Sequence, residues 1–405
     1  MTEIKKILAE LSSSKHEEIE NFFAERYQTT KPLFYSSVDI RYSGPKIVPV
    51  DTNLFPAGFN LLSDNQRENA SGQIREYFNR FHPEKEKVLI IPEAHTRNKF
   101  YLLNVLRLAK IIEDAGLQVK IGSINLTEKF AETIFENEQI EILPVKRVGD
   151  KIEIENFIPE IIVVNNDFSS GNPDILTKLK DQPIIPPVSM GWFRRRKSQH
   201  FETYETLSRE FGRKFDLDNW LISAYFKRCG HINFKQKEGL EQVASSVDDI
   251  LTKTAAKYKE YGITDQPYAF IKANSGTYGM GIMVVKSAQE VLEINKKMRH
   301  SMNVIKEGVE NSEVVIQEGI PTIDSYNGNP SEPMVYLVNS NPVGCTYRIN
   351  SNQDKLGNLN SSGMEFISFD SIESQSEMNC PVQSLIARLA SLAAARECYE
   401  QNWDI

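Results

Sequence analysis

The sequence predicts a mixed chain, an α/β part on an open, mostly parallel sheet followed by an α+β part closed by a glycine-rich β-flap. Three observations predict it. Short apolar strand runs alternate with helical spacing in the first 187 residues. A mainly helical stretch then runs to Gly262, and beyond it a glycine-rich segment stands between two strand-like runs. With 405 residues the chain exceeds what one core usually serves. The texture divides it into 1–187, 188–262 and 263–405.

In the first part, Lys87-Val-Leu-Ile-Ile-Pro92 reads as a buried strand. Leu102, Val105, Leu106, Ala109 and Ile112 follow at helical spacing, and Gly116 supplies the stop. Leu117–Ile121 alternates like a strand, Glu160–Asn165 is a further buried strand, and a helix is expected near Pro173–Lys180. In the second part, Leu240, Val243, Ala244, Val247, Ile250, Leu251 and Tyr258 mark one long helix. In the third, Tyr268–Lys272 and Gly281–Lys286 are strands around the glycine segment, and Ser287 with Glu290 forms a capping box for a helix ending near His300. Glu313–Gln317, Met334–Val338 and Val343–Arg348 are strands, the last two joined by Asn339–Pro342, and Gln383–Gln401 is a final helix.

The formal net charge of −8 argues against a general polynucleotide binder but not against a small anion such as ATP. No apolar run approaches the ~20 residues of a membrane helix, and the N-terminus lacks a signal-peptide pattern. The expectation is a cytoplasmic protein without nucleic-acid or membrane partners. Cys229, Cys345, Cys380 and Cys398 fit no zinc spacing and read as four reduced thiols.

The segment Lys272-Ala-Asn-Ser-Gly-Thr-Tyr-Gly-Met-Gly281 carries the chemistry. Glycines let Ser275, Gly276, Thr277, Tyr278, Gly279, Met280 and Gly281 bring backbone N–H groups to phosphate oxygens, and Lys272 neutralises phosphate charge. There is no Walker A pattern, the β-rich run after the loop excludes a dinucleotide fingerprint, and the kinase H-R-D and D-F-G signatures are absent. A flap over nucleotide phosphates remains, with a bare glycine hairpin as the alternative. Downstream, Gln317, Glu318, Gly319 and Ile320 form a strand end that would offer backbone groups to adenine, with Glu318 near ribose; a plain strand terminus fits equally.

Two polar clusters follow buried strands, where open α/β sheets bind ligands: His95, Thr96, Arg97 and Asn98, and Asn165 with Asn166. Turn-forming preference explains Asn165 and Asn166 as well. Arg194, Arg195, Arg196 and Lys197 read either as a solvated face or as a holder of an anionic substrate. Arg348 would bridge a transferring phosphate, and Asn358 and Asn360 are spaced to face one site, where amide oxygens ligate Mg²⁺.

Phe270–Ile282 closely resembles the loop of proteobacterial-type glutamate–cysteine ligases. So do Val48-Pro-Val-Asp-Thr-Asn-Leu-Phe-Pro-Ala-Gly-Phe59, Ile91–Asn98, Val164–Asp167 and Gly357-Asn-Leu-Asn-Ser-Ser-Gly363. The resemblance implies an ATP-grasp-like fold related to glutathione synthetase. It implies ATP-dependent joining of the L-glutamate γ-carboxylate to the L-cysteine amine, with Mg²⁺ or Mn²⁺. Lys272 would contact phosphate, Gln317–Ile320 adenine, and Arg348 the γ-phosphate. Asp51, Asn53, Asn358 and the polar clusters above become substrate-binding candidates. The late E-x-N metal element is replaced by Asn358-Leu-Asn360, so the missing carboxylate falls to Glu332, Glu318 or Glu365, beside Asn360. An alternative match makes these asparagines substrate contacts. A homo-oligomer is compatible with all of this. A ligase for another acid and amine, and a non-catalytic nucleotide-binding regulator, remain the rival expectations.

Overall fold

The structure is a computed structural model that describes residues 4–94, 97–135, 138–275, 281–303, 312–367 and 380–400. Three sheets carry the architecture. The first is the expected open sheet. Its strands run in the spatial order Ile184–Ile185, Ile161–Asn165, Lys87–Pro92, Gln118–Ser123, Gln139–Pro144 and Phe130–Thr133. All neighbours are parallel except the last pair. Ile161–Asn165 is buried throughout and Lys87–Pro92 everywhere but at Lys87, as a parallel sheet covered on both faces requires. The helix Lys99–Asp114 lies against it, capped at its N-terminus by Asn98. Near Pro173 only a short 3₁₀ turn forms, Asp174–Leu176, in place of the expected helix; Thr177 is extended and Lys178 takes a positive φ of 52°, which a helix does not accommodate.

The second sheet is shared between distant parts of the chain. Met364–Ile367, Asn341–Asn350, Asn329–Val338, Tyr35–Tyr42 and Ile47–Asn53 are neighbours in that order. Tyr35–Tyr42 pairs antiparallel with Asn329–Val338, placing Asp39 opposite Met334. The third sheet has four antiparallel strands in the order Phe226–Gly230, Glu313–Glu318, Ala269–Ala273 and Ile282–Val285. Strand pairing therefore crosses both anticipated boundaries. Residues 35–53 join strands of the 263–405 part, and Phe226–Gly230, expected within a helical connector, belongs to the third sheet.

The helix Leu240–Glu260 backs the third sheet with the apolar face foreseen from its spacing, Val243, Val247 and Ile250 among its buried residues. Ser287 caps a short helix, Ala288–Leu292, and a second helix, Lys296–Asn303, replaces the single one expected. The last helix, Pro381–Glu400, is nearly all buried and packs between the shared sheet and the helix Lys197–Phe215.

The cysteines are not all reduced as expected. Cys345 and Cys380 form a disulfide across a Cα–Cα distance of 6.5 Å. The shared sheet presents Cys345 to the start of the last helix, a meeting no local spacing announces. Cys229 and Cys398 are free and buried. Among the described residues no helix is long and apolar enough to cross a membrane.

The mouth of the parallel sheet rests on one buried amide. The Asn104 Oδ1 accepts from the N–H groups of Gly58 at 2.7 Å and Phe59 at 2.9 Å, and its Nδ2 donates to Asn165 at 3.4 Å. Removing it leaves two backbone donors short of acceptors, each costing about 1–3 kcal/mol. Asn104→Ala is expected to lower the unfolding free energy by roughly 2 kcal/mol or more in urea titration; a change under about 0.5 kcal/mol would contradict this account.

Candidate functional site

Charged side chains gather where the shared sheet faces the third sheet. Asp39 and Arg41 sit two residues apart on one strand, so both point to the same face. Across the sheet, Glu332 and Arg348 are directly paired positions of neighbouring strands. Three buried charges and the part-buried Asp39 result. Glu332 gives one oxygen to Arg41 Nε at 2.8 Å and the other to Arg348 Nη1 at 2.6 Å, while Asp39 takes Arg348 Nη1 at 2.7 Å. Burial works against the Arg348 charge, but Asp39 and Glu332 outweigh it and its pKa is raised. Burial likewise pushes Asp39 up, against the pull of Arg348. It opposes ionisation of Glu332 too, yet Arg41 and Arg348 hold that carboxyl below its usual range. The Arg348 Nε is buried and has no acceptor among the described residues.

Lys272 lies alongside. It closes the strand Ala269–Ala273, and its Nζ donates to Gln317 Oε1 at 2.7 Å and to the Val50 carbonyl at 3.1 Å. Gln317 is its diagonal neighbour on the adjacent strand, since Lys272 pairs with Val315. Burial lowers the Lys272 pKa to about 8. The ring of Phe270 lies 5.3 Å from Lys272 Nζ and 5.4 Å from the Arg41 guanidinium, joining the two groups of charges. Lys197 pairs with Asp51 at 2.6 Å; burial opposes the Asp51 charge, but Lys197 overrides it and the pKa falls to about 2.

The glycine segment joins antiparallel strands, with Lys272 opposite Ile282 and the Ala273 N–H bonded to the Gly281 carbonyl at 2.9 Å. Gly281 has φ +61°, and Ser275 is half-buried. Gly276, Thr277, Tyr278, Gly279 and Met280 lie outside the described residues. The base of the segment is held by Asn274. Its carbonyl accepts from Lys197 N–H at 2.8 Å, its Oδ1 from Ser198 N–H at 2.9 Å, and its Nδ2 donates to Glu313 at 3.0 Å. The loop and the start of the helix Lys197–Phe215 are thus fastened together.

Several expected ligands have other work. Glu318 is buried, its carboxylate taken by Lys46 Nζ at 2.9 Å, Trp220 Nε1 at 3.0 Å and Tyr225 N–H at 3.0 Å. It anchors the hinge through these contacts, where a place beside ribose or a metal was expected. The hinge N–H groups of Glu318 and Gly319 donate to Tyr225 and Tyr268 carbonyls, and any Cβ at Gly319 would collide with the Tyr268 ring. The Ile320 carbonyl accepts from Arg41. Arg195 is not part of a solvated or substrate-facing run. It is buried against Glu397, with His200 near the same carboxylate, and donates to the Thr52 carbonyl at 2.7 Å. Asn165 is likewise spent, donating to Tyr35 Oη and Pro56 O and accepting from Tyr101 and Asn104.

Asn53, Asn98 and Asn166 each use a side-chain oxygen on a nearby backbone N–H, in a turn or helix cap. Asn358 folds onto the backbone of Asn360. Arg97 and Arg194 are exposed, and His95 and Thr96 lie outside the described residues.

A metal set of Asn360, Glu332 and Glu318 does not fit these contacts, because both carboxylates are committed to cations and donors, and Glu365 is exposed on an edge strand. Among the described residues no three acidic, His or Cys side chains converge on one point. Sequence reasoning missed Asp39, Arg41 and Lys46, and quoted Asn274 without a role. The one available signal was two opposite charges alternating within the otherwise buried strand Tyr35–Tyr42.

Glu318→Ala would strand Lys46 without its partner, and breaking such a buried pair costs roughly 3–5 kcal/mol. Urea unfolding should therefore shift strongly. Unchanged stability with only a raised KM for ATP would instead return Glu318 to the ribose.

The family model described as GshA, glutamate-cysteine ligase, matches residues 10–398. A solved structure provisionally named gamma-glutamylcysteine synthetase, from Methylobacillus flagellatus KT, is 38% identical, with TM-score 0.90 over 98% of this chain and 96% of that one. A glutathione synthetase-like effector from Globodera pallida aligns at 10% identity and TM-score 0.38, over 89% of this chain and 79% of its own. That likeness is too loose to bear on the fold. A comparison with curated proteins returns no match. With a family model spanning nearly its whole length and a solved relative superposing over nearly all of both chains, the protein belongs to the GshA glutamate-cysteine ligase family.

Proposed function

We propose that the chain joins the γ-carboxylate of L-glutamate to the amine of L-cysteine at the expense of ATP, giving γ-glutamylcysteine, ADP and phosphate. Lys272 carries the reading: a buried ammonium at the foot of a glycine-rich hairpin, beside Arg41, Arg348 and Lys197, in a chain of this family. A carboxylate is a poor acyl donor at neutral pH. Transfer of the γ-phosphoryl group makes it an acyl-phosphate, and the amine then displaces phosphate. Such a transfer needs charge neutralisation and positioning rather than an enzyme nucleophile.

In this reading the fold is ATP-grasp-like, and the Ser275–Gly281 segment closes over the phosphates. Lys272 leaves Gln317 and the Val50 carbonyl for phosphate oxygen, and the unpaired Nε of Arg348 donates to the transferring group. Adenine lies along Gln317–Ile320, on groups other than the hinge N–H donors already bonded. Glutamate lies between the mouth of the parallel sheet and the loop, near Arg97, Asn166, Arg194 and Lys197. Glu332 and Glu318, held by Arg41, Arg348 and Lys46, are not free to ligate Mg²⁺.

Measured ADP release should require both glutamate and cysteine, and Lys272→Ala should lower it by about 100-fold or more, in line with loss of a transition-state charge partner. Arg97→Ala and Arg194→Ala should raise the glutamate KM. ADP release supported equally by other acids or amines would assign a different ligase, and ATP binding without turnover would assign a regulator.

The pH dependence follows from Lys272. Its pKa of about 8 lies below the 10.5 of a free lysine, so the folded protein loses this proton first as pH rises. Burial of the ammonium costs stability below pH ~8, and that cost fades as pH climbs from there towards ~10.5. Function runs the other way, because phosphate needs the charged form. kcat/KM for ATP should decline above pH ~8, and Lys272→Arg should move that limb upward. A profile unchanged by Lys272→Arg would remove Lys272 from the phosphate site.

A further inference from the structure

We propose that Arg41 is a positioning residue of the reaction, one guanidinium that sets the hinge, Glu332 and the Gly357–Gly363 loop at fixed distances around Arg348. The inference rests on the ligase reading above.

Each nitrogen of the Arg41 fork goes to a different segment. Nε donates to Glu332 Oε2 at 2.8 Å, Nη1 to the Ile320 carbonyl at 3.1 Å, and Nη2 to the Gly357 carbonyl at 2.6 Å. The side chain is 3% exposed. Ile320 follows the strand that supplies Gln317, and Gly357 opens the Gly357-Asn-Leu-Asn-Ser-Ser-Gly363 loop. Their carbonyls accept from one planar group, so neither segment can move away from the other without breaking a charge-assisted bond.

Glu332 extends the reach of this fork. Its second oxygen holds Arg348 Nη1, so the place of Arg348 is set from Arg41 through one carboxylate. Asp39 fixes the same Nη1, and Nη2 meets the Met334 sulfur at 3.2 Å. Among the described residues the buried Nε of Arg348 has no acceptor. Arg41 itself has all its nitrogens committed to protein, so it acts through its neighbours rather than on substrate. A lysine keeps the charge but presents it as a point, and a point cannot span three separated acceptors.

The test compares wild type, Arg41→Lys, Glu332→Gln and the double variant in the full-length protein. Steady-state ADP release and direct calorimetric titration with ATP are both read. Arg41→Lys should lower kcat at least 10-fold and weaken ATP binding several-fold, with the cysteine KM within twofold. Glu332→Gln should show the same split, and the double variant should lose no more than the worse single one, as expected when two residues act as one unit.

A normal kcat and normal ATP affinity in Arg41→Lys overturn the proposal. So does a loss spread evenly over kcat and all three substrate KM values, which a general packing defect would give. If Arg41→Lys does not fold, Glu332→Gln decides by the same criteria. If wild type releases no ADP with glutamate and cysteine, the ligase reading fails while the ATP titration still judges the role of Arg41.

Discussion

The Glu332 carboxylate is the interaction on which the rest of the site depends. Two guanidinium groups are buried beside it, and neither would be tolerated there unpaired. Breaking a buried ion pair by removing one partner typically costs about 3–5 kcal/mol, although the intact pair adds little net stability. Here the pair serves arrangement more than stability. One oxygen faces Arg41 and the other Arg348, so three strands and two loops must settle together before either charge is satisfied. The geometry of Arg348 is thereby tied to the backbone around Ile320.

A second fastening lies on the other side of Phe270. Asn274 binds the start of the helix Lys197–Phe215 to the base of the glycine segment, and Lys197 reaches from that helix to Asp51 on the shared sheet. Arg195, two residues earlier, reaches the Thr52 carbonyl and Glu397. Adjacent positions of one basic run therefore play different parts. The irregular backbone just before the helix turns Arg194 outward, buries Arg195 and leads Lys197 into the site.

What was legible in the sequence was local and periodic. The strands flanking the glycine segment, the long helix after Leu240 and the parallel strands at Lys87 and Ile161 all announced themselves by spacing, and Lys272 stood out because it closes a strand before glycines. What was not legible was pairing at a distance. Nothing near Asp39 and Arg41 points to Glu332, and nothing near Cys345 points to Cys380. Asparagines misled for a different reason. An Asn after a strand suits a ligand, a turn and a helix cap alike, and Asn98 and Asn165 went to a cap and a buried network. The anchoring of Glu318 was not legible because its partners, Lys46 and Trp220, arrive from remote segments.

The pairing of Tyr35–Tyr42 with Asn329–Val338 also governs when the protein can become itself. During synthesis the first of these strands emerges with its inner edge open, and its partner lies nearly 300 residues further on. At ribosomal rates of about 5–20 residues per second, that interval is roughly 15–60 s. The parallel sheet can close meanwhile, but Asp39 and Arg41 stay in water until the late strands arrive. The site is assembled late, from strands made far apart in time, and nascent chains cut short before Glu332 carry an exposed strand edge that invites wrong partners.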